Sequence, residues 1–433
     1  MNKKHAIHAL WFVAALGAYG LGAWNRGAAT GRAGAGSTTV LRTPAPPDVS
    51  LRRALQQDGS GEAVQNGAAA SSSPSRAPLT QVEIESMTRE AFNDPSPLKR
   101  QLAFARLLEG LTADNAESIR AQMAGGNANG DQWRLFQYAW GAVDGQGALT
   151  AAGKIEDEGR RNGAISQALS GWASADPTQA IAWLNGLENQ DQKNRFQDSL
   201  IGGLADYDIG FATNFVMDLA AAGDTRAGEH MRIVASEQLR KEGPEVAARW
   251  AQSLADGDVK GAALERVANS FAARDPQAAA AWAAQFATAS YGTQVIDEIG
   301  EEWAEQNPTA SVNWLLGLPD SRGKSSGMHS ALGEWARRDP TAASQFLVDM
   351  PQSTLKDEAV GGFVRRVAWE DPQAALAWAR TIAQESTRQE AMTRAGQALF
   401  IRDREAALQW LPTSGLPPEA QKRILETRRR DRG

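Results

Sequence analysis

The strongest constraint on this chain is that it repeats itself. Residues 274–283 read RDPQAAAAWA and residues 370–379 read EDPQAALAWA, and the same frame recurs between and around them. With proline as the reference, the frame falls at Pro177, Pro244, Pro276, Pro308, Pro340 and Pro372, with Ile209 and Arg404 in the same slot of degenerate copies. The steps are 32 residues, apart from one of 35 that places a three-residue insertion in the stretch AAAGDTRAG after Leu219. A fixed period of this length is the mark of one supersecondary unit stacked on copies of itself.

Each recurring column has a physical reading. Asp or Asn before the proline (Asp176, Asp275, Asn307, Asp339, Asp371) suits a helix N-cap, and proline suits the first helical position, where its missing N–H costs nothing. Three positions on stand Ala180, Ala212, Ala247, Ala279, Ser311, Ala343, Ala375 and Ala407; six on stand Trp183, Phe215, Trp250, Trp282, Trp314, Phe346, Trp378 and Trp410. Ten on stand Leu187, Leu219, Leu254, Phe286, Leu318, Met350, Ile382 and, as the polar exception, Ser414. Those offsets share one face of a 3.6-residue period, so each proline opens a short helix.

A second helix precedes each cap. Five residues before the proline slot stand Trp172, Leu204, Leu239, Phe271, Trp303, Trp335, Val367 and Leu399. Four earlier come Ala168, Leu200, Ala235, Val267, Ile299, Ala331, Phe363 and Ala395. Trp140 with Ala148, and Leu108 with Ala116, extend the register toward the N-terminus. The expectation is an all-α fold: a right-handed α-solenoid of about ten antiparallel helix pairs over residues 79–433, closed by a capping helix at 417–430. The tryptophans are expected to be core rather than ligand-stacking surfaces.

The unit DPQAAAAW, from Asp275 to Trp282, resembles helical-repeat proteins of the tetratricopeptide and HEAT type, which also pair short helices and mix small residues with large aromatics. Tetratricopeptide units run to 34 residues and HEAT units are usually longer than 32, so the resemblance is architectural and fixes no single family. What it implies is a surface that binds other proteins or peptides.

The N-terminus reads as an address. Lys3 and Lys4 precede an apolar stretch over residues 6–24, and a helix of that length spans ~28 Å, close to the ~30 Å hydrocarbon thickness. An uncleaved signal anchor is expected there, with a cleaved signal peptide (small residues at Ala18 and Gly20) as the alternative. Either places the remainder outside the cytoplasm: on a bacterial inner membrane with a periplasmic C-terminal part, or secreted if cleaved. Residues 25–78, rich in Gly, Ala, Ser and Pro, read as a disordered linker.

Catalytic signatures are weak. Ser321-Arg322-Gly323-Lys324-Ser325 invites comparison with a phosphate loop, but Leu318 stands where the first glycine belongs. His230 and His329 are isolated, and residues 127–132 (NANGDQ) lack the glutamate that completes a calcium loop. Asp297-Glu298 and Glu301-Glu302 read as solvated helix surface. The absence of cysteine removes thiolate chemistry, and a net charge of −6 argues against nucleic acid as partner. The basic end at Arg428–Arg430 and Arg432 complements a helix C-terminus. The expectation is therefore a membrane-tethered, monomeric, non-enzymatic scaffold for a protein or peptide partner, with no catalytic, cofactor or metal residues and with the partner-binding positions open. The alternatives are an α/α-toroid enzyme acting on an envelope polysaccharide and a purely structural spacer.

Overall fold

The computed structural model describes residues 79–427. The expected membrane span at 6–24, the linker at 25–78 and the basic end at 428–433 lie outside the described residues. The chain divides into two units, Met1–Ser73 and Pro74–Gly433, and all described residues belong to the second.

Among the described residues the fold is all-α, with 22 α-helices and no strand. It begins with α1 (Gln81–Asn93) and then alternates longer and shorter helices. The longer set is α2 (Pro97–Glu109), α4 (Gly130–Val143), α6 (Glu158–Ala175), α8 (Gln190–Tyr207), α10 (Ala227–Glu242), α12 (Asp258–Arg274), α14 (Thr293–Gln306), α16 (Arg322–Arg338), α18 (Thr354–Val367) and α20 (Glu385–Arg402). The shorter set is α3 (Ala116–Gly125), α5 (Gly145–Gly153), α7 (Pro177–Asn185), α9 (Ile209–Ala221), α11 (Pro244–Ser253), α13 (Pro276–Ala283), α15 (Pro308–Gly317), α17 (Pro340–Asp349), α19 (Pro372–Ala379) and α21 (Arg404–Trp410). A last helix, α22 (Pro418–Leu425), packs on α20. No described helix is long and apolar enough to cross a membrane.

The corner between paired helices turns on one residue. Asp275 ends α12 by donating its N–H to the Phe271 carbonyl at 2.9 Å, and opens α13 by accepting from the Ala278 N–H at 3.0 Å. Asp176, Asn307, Asp339, Asp371 and Asp403 make the same side-chain cap. Gly243 fills the slot once without a side-chain cap, with φ of 79°. The inserted residues lengthen α9 to 13 residues and the turn that follows it.

The alanine column of the short helices and the apolar column of the long ones form the spine. Ala180, Ala212, Ala247, Ala279, Ser311, Ala343 and Ala375 have no exposed surface, and neither do Ala168, Leu200, Ala235, Val267, Ile299, Ala331 and Ala395. Ser311 is tolerated because its hydroxyl donates to the Gly300 carbonyl at 2.7 Å, leaving no buried donor unpaired. The aromatic column differs from expectation in degree: Trp183, Trp250, Trp282, Trp314, Trp378 and Trp410 are half-buried, packed against the core rather than sealed in it. Several of these rings meet an aromatic of a long helix, Trp282 with Phe271 at 6.0 Å between centroids and Trp378 with Phe363 at 5.3 Å. Trp303 and Trp314 lie 6.0 Å apart between centroids, and Trp335 and Phe346 5.3 Å.

The two sets of helices pack differently. Consecutive longer helices from α4 to α20 pack directly on one another, whereas each shorter helix from α5 to α19 packs on its own long partner and on the next. Glycines allow the close approach. A methyl at Gly171 would overlap the Tyr138 carbonyl of α4, and one at Gly362 would overlap the His329 carbonyl of α16.

Candidate functional site

The residues left free to vary are set by geometry. On a long helix, the fully buried column faces the short helices. Positions two before and two after it lie about 200° of rotation away, on the side that no short helix covers. Those positions hold no one residue type along the array. Along α4 to α20 the earlier position reads Arg134, Ser166, Asp198, Ile233, Glu265, Asp297, His329, Gly361 and Thr393. The later one reads Tyr138, Ser170, Gly202, Glu237, Asn269, Glu301, Gly333, Arg365 and Gln397. Most are half-buried, because the neighbouring long helices flank them on either side.

This face carries a band of negative charge at α12 and α14. Asp297, Glu298 and Glu302 are half-buried rather than solvated, a departure from the expectation for these acidic pairs. Burial holds the carboxyls of Asp297, Glu298, Glu301 and Glu302 above the usual carboxylate range. Mutual repulsion adds to it, from Glu265 on Asp297 and from Asp297 on Glu301. The opposing partners are few. The Asn269 amide donates to Glu298 at 3.1 Å, Arg232 pairs with Glu265 at 2.7 Å, and one oxygen of Asp297 is buried without a hydrogen bond.

Arg365 of α18 is the cation that acts on both Asp297 and Glu301 of α14, two long helices away. It passes over α16 at Gly333, where a β-carbon would come within 3.0 Å of its Nη2. The same guanidinium faces His329. Burial first, then Arg365 and Arg394, push that imidazole down to about 4. Its Nδ1 lies 3.9 Å from a carboxylate oxygen of Glu358, itself raised by burial.

The motifs singled out in the sequence resolve into structural parts. Ser321 caps α16, and Lys324, 8% exposed, turns inward to donate to the Leu318 carbonyl at 2.8 Å and to Asp320 at 3.1 Å. The same tie recurs from Arg161 to Ile155, from Lys356 to Met350 and from Arg388 to Ile382. Asn129 and Gln132, within NANGDQ, form a reciprocal capping box at the start of α4. His230 is fully buried with Asp198 3.0 Å from Nδ1 and Asp224 3.4 Å from Nε2, a setting its sequence neighbourhood does not announce. No group of three or more candidate ligands able to hold a metal ion is found among the described residues. No protein-family model matches the chain, and no curated protein or solved structure matches it significantly.

Proposed function

We propose that the chain is a non-enzymatic helical-repeat scaffold, a right-handed solenoid tethered to the membrane through residues 6–24 and facing the periplasm. Its long-helix layer holds a protein or peptide partner. The single observation that carries this reading is the contrast between columns on one helix: the buried positions keep one chemistry unit after unit, while the uncovered positions mix cations, carboxylates, amides, apolar groups and glycine. A spacer needs only the first set. A recognition surface needs the second, because specificity resides in differences between neighbouring sites.

The acidic band gives the partner a sign. Carboxylates already strained by burial and by one another gain most from an arriving cation, so the segment lying over α12 and α14 carries Lys or Arg. The toroid alternative requires the array to close on itself, and α1 and α22 share no extensive packing among the described residues.

A photo-crosslinking residue placed at Arg266, exposed beside the band, tests this in intact cells. The expected result is one dominant adduct, whose crosslinked peptide is basic, lost in Asp297→Lys/Glu301→Lys and retained in Asp297→Asn/Glu301→Gln at reduced yield. Absence of any adduct, or an adduct indifferent to the charge reversal, sinks the proposal.

A further inference from the structure

A cavity of about 820 Å³ opens nearer the N-terminus, between the first halves of α4 and α6 and beside α3 and α5. Its origin lies in how those two helices cross. Gly141 and Gly171 press their C-terminal halves together, while the N-terminal halves part, and α3 and the turn before α6 wall the gap instead. Gly130 and Gly163 line it, and a β-carbon at either position would meet nothing within 4 Å. A gap of this size in an array otherwise packed on alanine is a built space, within the usual ~300–1,000 Å³ of ligand pockets.

The lining combines three chemistries. Trp133, Met123 and Ile155 supply an apolar wall. Arg120, Arg134 and Arg160 supply cations, and no carboxylate contributes to the lining. Two of these cations are held from outside the cavity by acids of their own helices, Arg120 by Glu117 and Arg134 by Asp131. The Arg160 guanidinium makes no ion pair among the described residues. The third element is Gln137, only 4% exposed, whose Oε1 is buried without a hydrogen-bond partner. An orphaned carboxamide this deep costs free energy unless something brings a partner to it.

We infer that this cavity is a recognition pocket for an acidic peptide segment carrying one apolar side chain. The apolar group seats against Trp133 and Met123, a main-chain N–H of the segment donates to Gln137, and Asp or Glu side chains flanking the anchor meet Arg160 and the other two arginines. An amide beside an apolar anchor is what a peptide offers and a simple amphiphilic anion does not. The site stands apart from the acidic band over α12 and α14, and it holds whether or not that band binds anything.

Gly163 gives a clean test, because it lines the cavity, a β-carbon there meets nothing within 4 Å, and its replacement removes a helical glycine. A random-peptide display library selected on the full-length chain should enrich an apolar residue flanked by Asp or Glu. A synthetic peptide of that consensus should bind about tenfold or more weakly to Arg160→Glu, and should not bind Gly163→Phe. The thermal midpoint of each variant shows that the fold is intact. Failure to enrich any sequence, enrichment of basic sequences, or a consensus peptide indifferent to both variants overturns the inference. Saturation by laurate with no peptide enriched reassigns the cavity to amphiphiles and overturns it equally.

Discussion

At the scale of single residues, the array is held together by polar groups that look like something else in the sequence. Lys324 is the clearest. Beside Gly323 and Ser325 it suggests phosphate binding, yet its ammonium is spent on the carbonyl of Leu318. Arg161, Lys193, Lys260, Lys324, Lys356 and Arg388 share one register, sixteen residues ahead of the proline slot, so the signal was present as a periodicity of charge. It was not legible from apolar columns alone, because a buried cation paired to a carbonyl leaves no hydrophobic trace. Lys324→Met should destabilise the fold by ~1.5–3 kcal/mol, the worth of a hydrogen bond to a charged group, as read from urea denaturation. A variant as stable as the parent would show that the tie is incidental. His329 makes a second residue-scale prediction. Its folded-state pKa, about 4, lies below the ordinary 6.5, so the unfolded chain takes up a proton that the folded chain refuses. Its stabilising contribution is therefore present above 6.5 and lost as the pH falls toward 4. The raised carboxyls of Asp297, Glu298, Glu301, Glu302 and Glu358 act in the opposite sense: their contribution is present at low pH and lost as the pH rises through their raised values. Only a difference isolates the imidazole, which faces Glu358, Arg365 and Arg394. Relative to the parent, His329→Gln should gain stability steadily as the pH is lowered from 6.5 to 4, and a pH-independent difference would falsify the assignment.

At the scale of elements, the sequence declares which residues face the partner helix and conceals which helices lie closest. Caps at Asp176, Asp275, Asn307, Asp339 and Asp371 were readable because each is a local hydrogen bond between neighbours in the chain. The direct packing of long helix on long helix was not, since it depends on glycines whose role appears only when a second helix is brought up against them. Gly171 and Gly362 sit in such contacts, whereas Gly163 on the same helix as Gly171 faces open space. The two kinds should respond to one substitution with opposite sign. Gly362→Ala forces the α16–α18 contact apart and should cost ~1–3 kcal/mol, the usual penalty of overpacking. Gly163→Ala gains helix propensity without a clash and should stabilise by up to ~1 kcal/mol. Thermal denaturation of the two single variants compares them directly, and equal signs would mean that the long helices are not held at contact distance by glycine. The same concealment hid the cavity: Arg134, Gln137 and Gly163 belong to two helices, and no spacing along the chain places them around one space.

At the scale of the whole molecule, packing in the described array passes chiefly between neighbours, and what reaches past the next long helix is a polar side chain such as Tyr138, which donates to Asp206 of α8. From α4 to α20 each long helix meets the long helices before and after it, and each short helix from α5 to α19 meets two long ones, with no extensive packing between distant units. Stability in such a stack is approximately a sum of unit terms and nearest-neighbour terms, so a lesion should weaken its surroundings and leave remote units intact. Trp140 offers the lesion. It is 3% exposed and packs at a tilt against Phe136, 5.5 Å between centroids, near the N-terminal end of the array. Truncation to alanine should cost its own unit ~3–5 kcal/mol. Native-state hydrogen exchange should then show faster exchange through α4, α5 and α6, decaying toward α10, with α16 to α20 unchanged. The distance over which protection recovers measures how strongly one glycine-mediated contact couples a unit to the next. Uniform loss of protection across all helices would mean that the interfaces between units exceed the stability of the units themselves. In that case the face of long helices would behave as a single rigid template, rather than as a row of independently adjustable sites.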